Sequence, residues 1–149
     1  MIADTIHAFQ FTIEVNGLNA FECQKFTPSE IGNDIAEHGG ANHNVPTMGR
    51  VTYTDAVLEK IRPLPGADRW AFDWINSGAN PMTGGGAMTS NIARMVVIRE
   101  LDPSGTGVIN TWVYHGCVPV RLAGDDYDRM SSDNLKQRLS IRPTRIEQL

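Results

Sequence analysis

The side chains able to do chemistry are few and scattered. Two cysteines, Cys23 and Cys117, and four histidines, His7, His38, His43 and His115, are the soft metal ligands of the chain. The suggestive local pairs are His38 with His43 and His115 with Cys117. On a strand, His115 and Cys117 would share a face. That still leaves a zinc ion short, because a closed site takes four ligands and an open catalytic site three. No CxxC pair prepares a zinc or redox site, and two distant cysteines exclude a disulfide framework, so Cys117 reads as a small buried hydrophobe. Acyl transfer would need an activated nucleophile, and no GxSxG elbow is present. Asp125, Asp126 and Asp128 stand in a turn-rich stretch rather than in an acid/base frame. Gly84-Gly85-Gly86 lacks the Lys and Ser/Thr of a phosphate loop. Trp70 and Trp74, four apart, are read as a packing stripe rather than a cofactor stack. No catalytic residue, metal or cofactor is expected, although a site assembled from distant residues would leave no local signature.

Composition points the same way. The chain has 149 residues, 41% of them hydrophobic and 20% charged, the profile of one globular domain spanning 1–149. A net charge of −4 supplies no basic excess for tight nucleic-acid binding. The longest apolar run, Met95 to Ile98, is far short of the roughly 20 residues of a bilayer span, and Met1-Ile2-Ala3-Asp4 does not open like a secretory signal, so no membrane anchor is expected.

The elements that must carry these residues are mostly strands. Phe9, Phe11, Ile13 and Val15 alternate with Gln10, Thr12 and Glu14, a period of two, and Asn16-Gly17 suits a tight turn into a second strand over about Leu18 to Phe26. From Thr27 to Gly49 alternation is lost among Pro28, Gly32, Asn33, Gly39, Gly40, Asn42, Asn44 and Pro46. This predicts a long loop with at most a short extended piece around Glu30 to Glu37. A loop of that length is either functional or a tolerated excursion. Strand character resumes over Arg50 to Ile61, with a kink near Asp55-Ala56. A short helix follows Pro65-Gly66, opened by Ala67 and Asp68 and stopped by Asn76-Ser77-Gly78. Residues 77 to 90 form a second loop.

Ile92 to Leu101 is a strand apolar on both faces at Met95-Val96-Val97-Ile98, which a domain this small struggles to cover alone. Asp102 to Gly107 is a hairpin loop leading to a strand over Val108 to His115, with Val108, Trp112 and Tyr114 on one face. Another strand covers Cys117 to Leu122, an acidic loop Gly124 to Ser132, and a closing strand Leu135 to Ile141, running toward Ile146. That strand sets Leu135, Leu139 and Ile141 against Lys136, Arg138 and Arg142. Residues 134 to 149 carry +3, leaving −7 on the rest. The basic face is either solvated or a subunit contact whose acidic complement lies on an identical copy.

In this order the landmarks resemble the tail tube proteins of contractile phages and related contractile injection systems. They are Phe9-x-Phe11-x-Ile13, then Asn16-Gly17-Leu18 with Phe21, a long loop before Gly49-Arg50-Val51, and a helix ending at Trp74-Ile75. Leu101-Asp102 with Gly105 and Trp112 follow, then Val118-Pro119-Val120-Arg121 leading through Gly124, Asp125 and Ser132 to a last strand. Cys117, Gly84-Gly85-Gly86 and the tail from Ile141 to Leu149 depart from the family pattern. The resemblance implies a mainly β protein, an antiparallel β-barrel or sandwich with one short flanking helix and a long loop. Six copies would form a ring, and rings would stack into a hollow tube inside a contractile sheath.

Its implied partners are itself, the sheath protein, the baseplate and spike hub, the tail terminator, and DNA or an effector in transit. The implied place is a virion tail or injection particle, assembled in the bacterial cytoplasm. Subunit and ring contacts would fall on Gly32, Asn33, His38, Asn42, His43 and Asn44 of the long segment, on Met95 and Val97, and on Arg138 and Arg142. A neighbour would cover the second face of Met95 to Ile98, and the lumen would lack a dense basic lining. A tube-initiating or baseplate paralogue of the same fold is a second reading. A ligand-binding β-barrel, monomeric with a closed apolar pocket, is a third.

Overall fold

A computed structural model describes residues 9–16, 18–19, 23–40, 42–62, 69–78, 84–86 and 88–149. Ten strands and two helices follow in order: β1 Phe11–Val15, β2 Leu18–Asn19, β3 Cys23–Thr27, β4 Ile31–Gly39, β5 Asn44–Tyr53, β6 Ala56–Ile61, α1 Arg69–Gly78, α2 Thr89–Ile92, β7 Arg94–Leu101, β8 Val108–Gly124, β9 Lys136–Arg142 and β10 Arg145–Gln148. The main sheet runs β2-β1-β7-β8-β9-β6-β3, with β10 also on β8, and every pairing is antiparallel. Ile13, Val15, Val96, Ile98, Tyr114 and Cys117 from the β1-β7-β8 layer meet Ala56, Leu58, Leu139 and Ile141 from β6 and β9, with Ala71 and Trp74 of α1 in the same cluster. This is the mainly β architecture with one flanking helix that the sequence indicates.

One strand joins the two layers. Expected as two strands, Val108 to His115 and Cys117 to Leu122 are the single β8, whose first half pairs with β7 and whose second half pairs with β9. Gly116 makes the join, at φ 62°. Tyr114 and Cys117 are both buried although three apart. The irregularity at Gly116 therefore inserts a residue into the alternation and puts His115 and Cys117 on opposite faces, not on one. A Cβ at Gly116 would stand 2.7 Å from Thr144 Oγ1, which itself donates to the Gly116 carbonyl at 3.0 Å. Gly116→Ala combines left-handed backbone strain of about 1–2 kcal/mol with loss of a hydrogen bond of about 1 kcal/mol. Thermal unfolding is expected to show a destabilisation of about 2–3 kcal/mol, and adding Thr144→Ala to relieve the clash returns only part of it.

Other departures have equally local causes. The turn at Asn16, φ 53°, closes only the Glu14↔Asn19 and Val15↔Leu18 pairs. The expected second strand then divides, because β3 leaves to pair with β6. Gly17, Phe21, the helix-opening Pro65-Gly66 and Ala67-Asp68, and His7 lie outside the described residues. Phe9 precedes β1 and is exposed rather than continuing its apolar face, and Val108, at the turn end of the β7–β8 hairpin, is exposed too. The closing strand is broken at Pro143-Thr144 into β9 and β10, both on β8. Within the second loop, Thr89–Ile92 forms a turn of helix.

The largest correction concerns Thr27 to Gly49. It is not a loop: β4 and β5 form a two-stranded antiparallel sheet of their own. Ile31 faces Tyr53, and Thr27 faces Val57 in β3–β6, so one ribbon register runs through both pairs. The ribbon is pinched at its waist, where Thr54 N donates to the Glu30 carbonyl (3.1 Å), Glu30 N to Thr54 Oγ1 (2.7 Å) and Ser29 Oγ to the Thr54 carbonyl. Its distal half projects as an arm of nine to ten residues per strand, about 30 Å long at 3.3 Å per residue.

Candidate assembly surface

The arm holds large apolar side chains at the surface. Directly paired residues share a face and alternate residues do too, so Ile31, Asn33, Ile35 and Glu37 line one side with Tyr53, Val51, Met48 and Pro46. Met48 joins Val51 and Tyr53 there because β5 carries one extra residue: Gly49 and Arg50 oppose Asp34 alone. Glycine is required at this bulge, since a Cβ on Gly49 would lie 2.7 Å from the Asp34 carbonyl oxygen. The result is an apolar stripe of Ile31, Ile35, Met48 and Val51, each between 51% and 69% exposed. The reverse face, Gly32, Asp34, Ala36 and His38 against Thr52, Arg50, Thr47 and Val45, is mostly polar.

An isolated two-stranded sheet is marginal in water. Full burial of an aliphatic side chain is worth roughly 1.5–3 kcal/mol, so covering the exposed half of these four contributes about 3–6 kcal/mol per arm.

The residues expected at subunit contacts fall in three places. Gly32 and Asn33 lie near the arm's base, His38 and Asn44 near its tip, and Asn42 and His43 in the tip turn, closed by Gly40 N donating to the His43 carbonyl at 2.6 Å. His38 Nε2 lies 3.4 Å from Thr47 Oγ1. Val96, Val97 and Ile98 are buried within the single copy, whereas Met95, on the same face as Val97, is exposed. The Glu14–Arg99 and His115–Glu147 pairs stand in the same outer rows of that sheet as Val97 and its partner Val113.

Arg138 and Arg142 do not await acids on another copy. Arg138 pairs with Asp125 at 3.0 Å, Arg142 with Asp55 at 2.8 Å, and Lys136 approaches Glu59 at 3.8 Å. The charge segregated in sequence is thus neutralised within the chain. The arm's apolar residues were missed by sequence reading. The signal that could have found them is the Ile31-x-x-x-Ile35 spacing beside a bulge-shifted Met48 and Val51.

Little catalytic chemistry is offered. Burial pushes the Cys117 thiol up to about 12, so it is neither the thiolate that attacks nor the one that binds metal. Among the described residues no three His, Cys, Asp or Glu side chains are grouped to hold a metal ion, and no helix is long and apolar enough to cross a membrane.

The sequence model of the T4-like virus tail tube protein gp19 matches residues 7–147. Among solved structures, the chain is similar to one in the extended sheath-tube complex of an extracellular contractile injection system, PVC. The identity is 20% and the TM-score 0.80, covering 97% of this chain and 91% of that one. A chain of the PVC sheath/tube terminator in the extended state matches at 19% identity and TM-score 0.82, over 100% of this chain and 99% of that one. A chain of the six-fold symmetrised baseplate of the anti-feeding prophage matches at 17% and 0.74, over 99% and 97%. At these identities the likeness shows the fold. Among curated proteins no sequence matches.

Proposed function

Because this chain belongs to the family of the T4-like virus tail tube protein gp19, we propose that six copies close into a ring and that rings stack into a hollow tube. The protein is a tail tube protein, and its work is mechanical: the tube is a stiff conduit inside a contractile sheath, driven through a target envelope to deliver DNA or an effector. It carries no catalytic role. The observation that carries this reading is the arm, which holds Ile31 at its base and carries Ile35, Met48 and Val51 out of the barrel, all four exposed in the single copy. A neighbouring copy is the economical cover, because identical arms and identical receiving surfaces repeat around a ring and along a stack.

The names of the similar structures supply the remaining partners of the proposal. A sheath surrounds the tube, a terminator closes one end, and a baseplate of six-fold symmetry sits at the other. Assembly takes place in the bacterial cytoplasm. The outward face of β9 carries cations already paired with acids, which suits a wall that nucleic acid passes without sticking.

A second reading, an end piece rather than the tube body, is favoured by one observation. The terminator chain matches as well as the sheath-tube chain, 0.82 against 0.80. Light scattering on the purified chain tests both. Particles of six times the 16.4 kDa chain mass that grow without limit support the tube body; particles that stop at one or two rings support the end piece.

A further inference from the structure

The two ends of the barrel are different, and each carries half of a contact. At one end α1 closes the core, with Ala71 and Trp74 inward and the Arg94 guanidinium 5.0 Å from the Trp74 ring centre. Its outward side presents Phe72, 54% exposed. One turn earlier on the same side stands Arg69, which approaches Asp73 at 4.0 Å with both side chains largely in solvent. The other end is open. A pocket of about 200 Å³ enters the core there between Phe26, Ile31, Ile98, Trp112 and Tyr114, with Glu100 in its wall. The Glu100 carboxylate accepts from Asn110 Nδ2 at 3.1 Å and Trp112 Nε1 at 2.8 Å, both neutral donors. No cation among the described residues pairs with it. Arg94 begins β7 and Glu100 lies six residues on, so the two ends are about 20 Å apart.

We infer that Phe72 of one copy enters this pocket on a second copy and that Arg69 of the first meets Glu100 of the second. A cavity of roughly 150 Å³ with apolar walls accepts a benzene ring, so the pocket holds the Phe72 ring with room for its approach. The guanidinium supplies the cation that the half-buried carboxylate lacks. Knob and hole lie on different ends of the molecule, so the contact is heterologous. It cannot close a two-fold dimer and instead propagates from copy to copy. The inference rests on the tube reading and names a contact that adjoins the arm at Ile31, which stands at the arm's base and also lines the pocket.

Arg69→Lys keeps the charge and introduces an amine that a zero-length carbodiimide can join to a touching carboxylate. Tubes of this variant, treated and digested, are expected to yield a peptide joining position 69 to Glu100 between copies, seen on a denaturing gel as a ladder. The unsubstituted chain, with arginine there, gives no such peptide. Tubes without the cross-link overturn the contact and leave the tube reading standing, whereas a monomer at every concentration overturns both. Phe72→Ala removes a side chain already in solvent in the free copy, so folding is kept, and the concentration needed for assembly rises about tenfold. An unchanged assembly concentration also overturns the contact.

Discussion

Excision of the arm, with residues 31–53 replaced by an Asn-Gly turn between Glu30 and Thr54, yields a chain that folds and stays monomeric. Folding survives because none of the excised residues belongs to the core cluster. The cut ends are already held together by the Thr54 N to Glu30 O hydrogen bond, and a two-residue Asn-Gly link suits a hairpin there. The melting temperature is expected to move by only a few degrees. Assembly is another matter. Each arm offers about 3–6 kcal/mol of apolar burial, and every 1.4 kcal/mol is tenfold in affinity, so losing it raises the assembly concentration by at least about a hundredfold. Ile35→Asp with Met48→Asp makes the same point without shortening the chain, since both side chains stand on the arm's apolar face and neither supports the barrel. Tubes formed by either variant at ordinary concentration would remove the arm from the account.

Trp74→Ala is the substitution expected to cost the barrel most. Trp74 is fully buried. Its Nε1 donates to the Ile92 carbonyl at 2.6 Å, fastening α1 to the segment that enters β7, and the Arg94 guanidinium covers its ring. Truncation of a buried tryptophan costs about 3–5 kcal/mol, and the Ile92 carbonyl loses its donor as well. Set against a whole-domain stability of about 5–15 kcal/mol, this is a large fraction, and at about 2–4 °C per kcal/mol the melting temperature falls by about 6–20 °C. Trp74→Phe keeps most of the volume and loses the N–H, so it costs about 1–3 kcal/mol. Thermal scans of the three chains check the order, and a Trp74→Ala chain melting within a few degrees of the original would contradict it.

The parts of this fold that were legible in the sequence are those in which one face is buried by the chain itself. Ile13 and Val15, and Leu139 and Ile141, alternate with polar neighbours because only every second residue enters the core. The helix announced itself through Trp70, Ala71 and Trp74 and the stop at Gly78, and the Asp102 to Gly107 turn through its glycines, one of them at φ 79°. The arm was illegible for the complementary reason. Alternation records burial, and in a single copy neither face of β4 or β5 is buried. The bulge at Gly49 then moved Met48 onto the side of Val51 and Tyr53, breaking parity where a pattern remained.

The continuity of β8 was hidden by Gly116, whose extra step makes one bent strand look like two. The β3–β6 pairing is non-local and left no mark on either segment. The polar and turn residues expected at contacts lie on the same arm as the exposed apolar side chains, which the sequence left unmarked. Apolar side chains exposed on a two-stranded ribbon look, from one chain, like strays.

The central claim is that this chain builds a hollow tube from six-fold rings. It is tested most directly by negative-stain electron microscopy of the purified full-length chain over a rising series of concentrations. Six-fold rings, stacking end to end into tubes with an open lumen, are the expected images. A chain that remains a monomer at every concentration, or closes into a particle without a six-fold axis, would contradict the account.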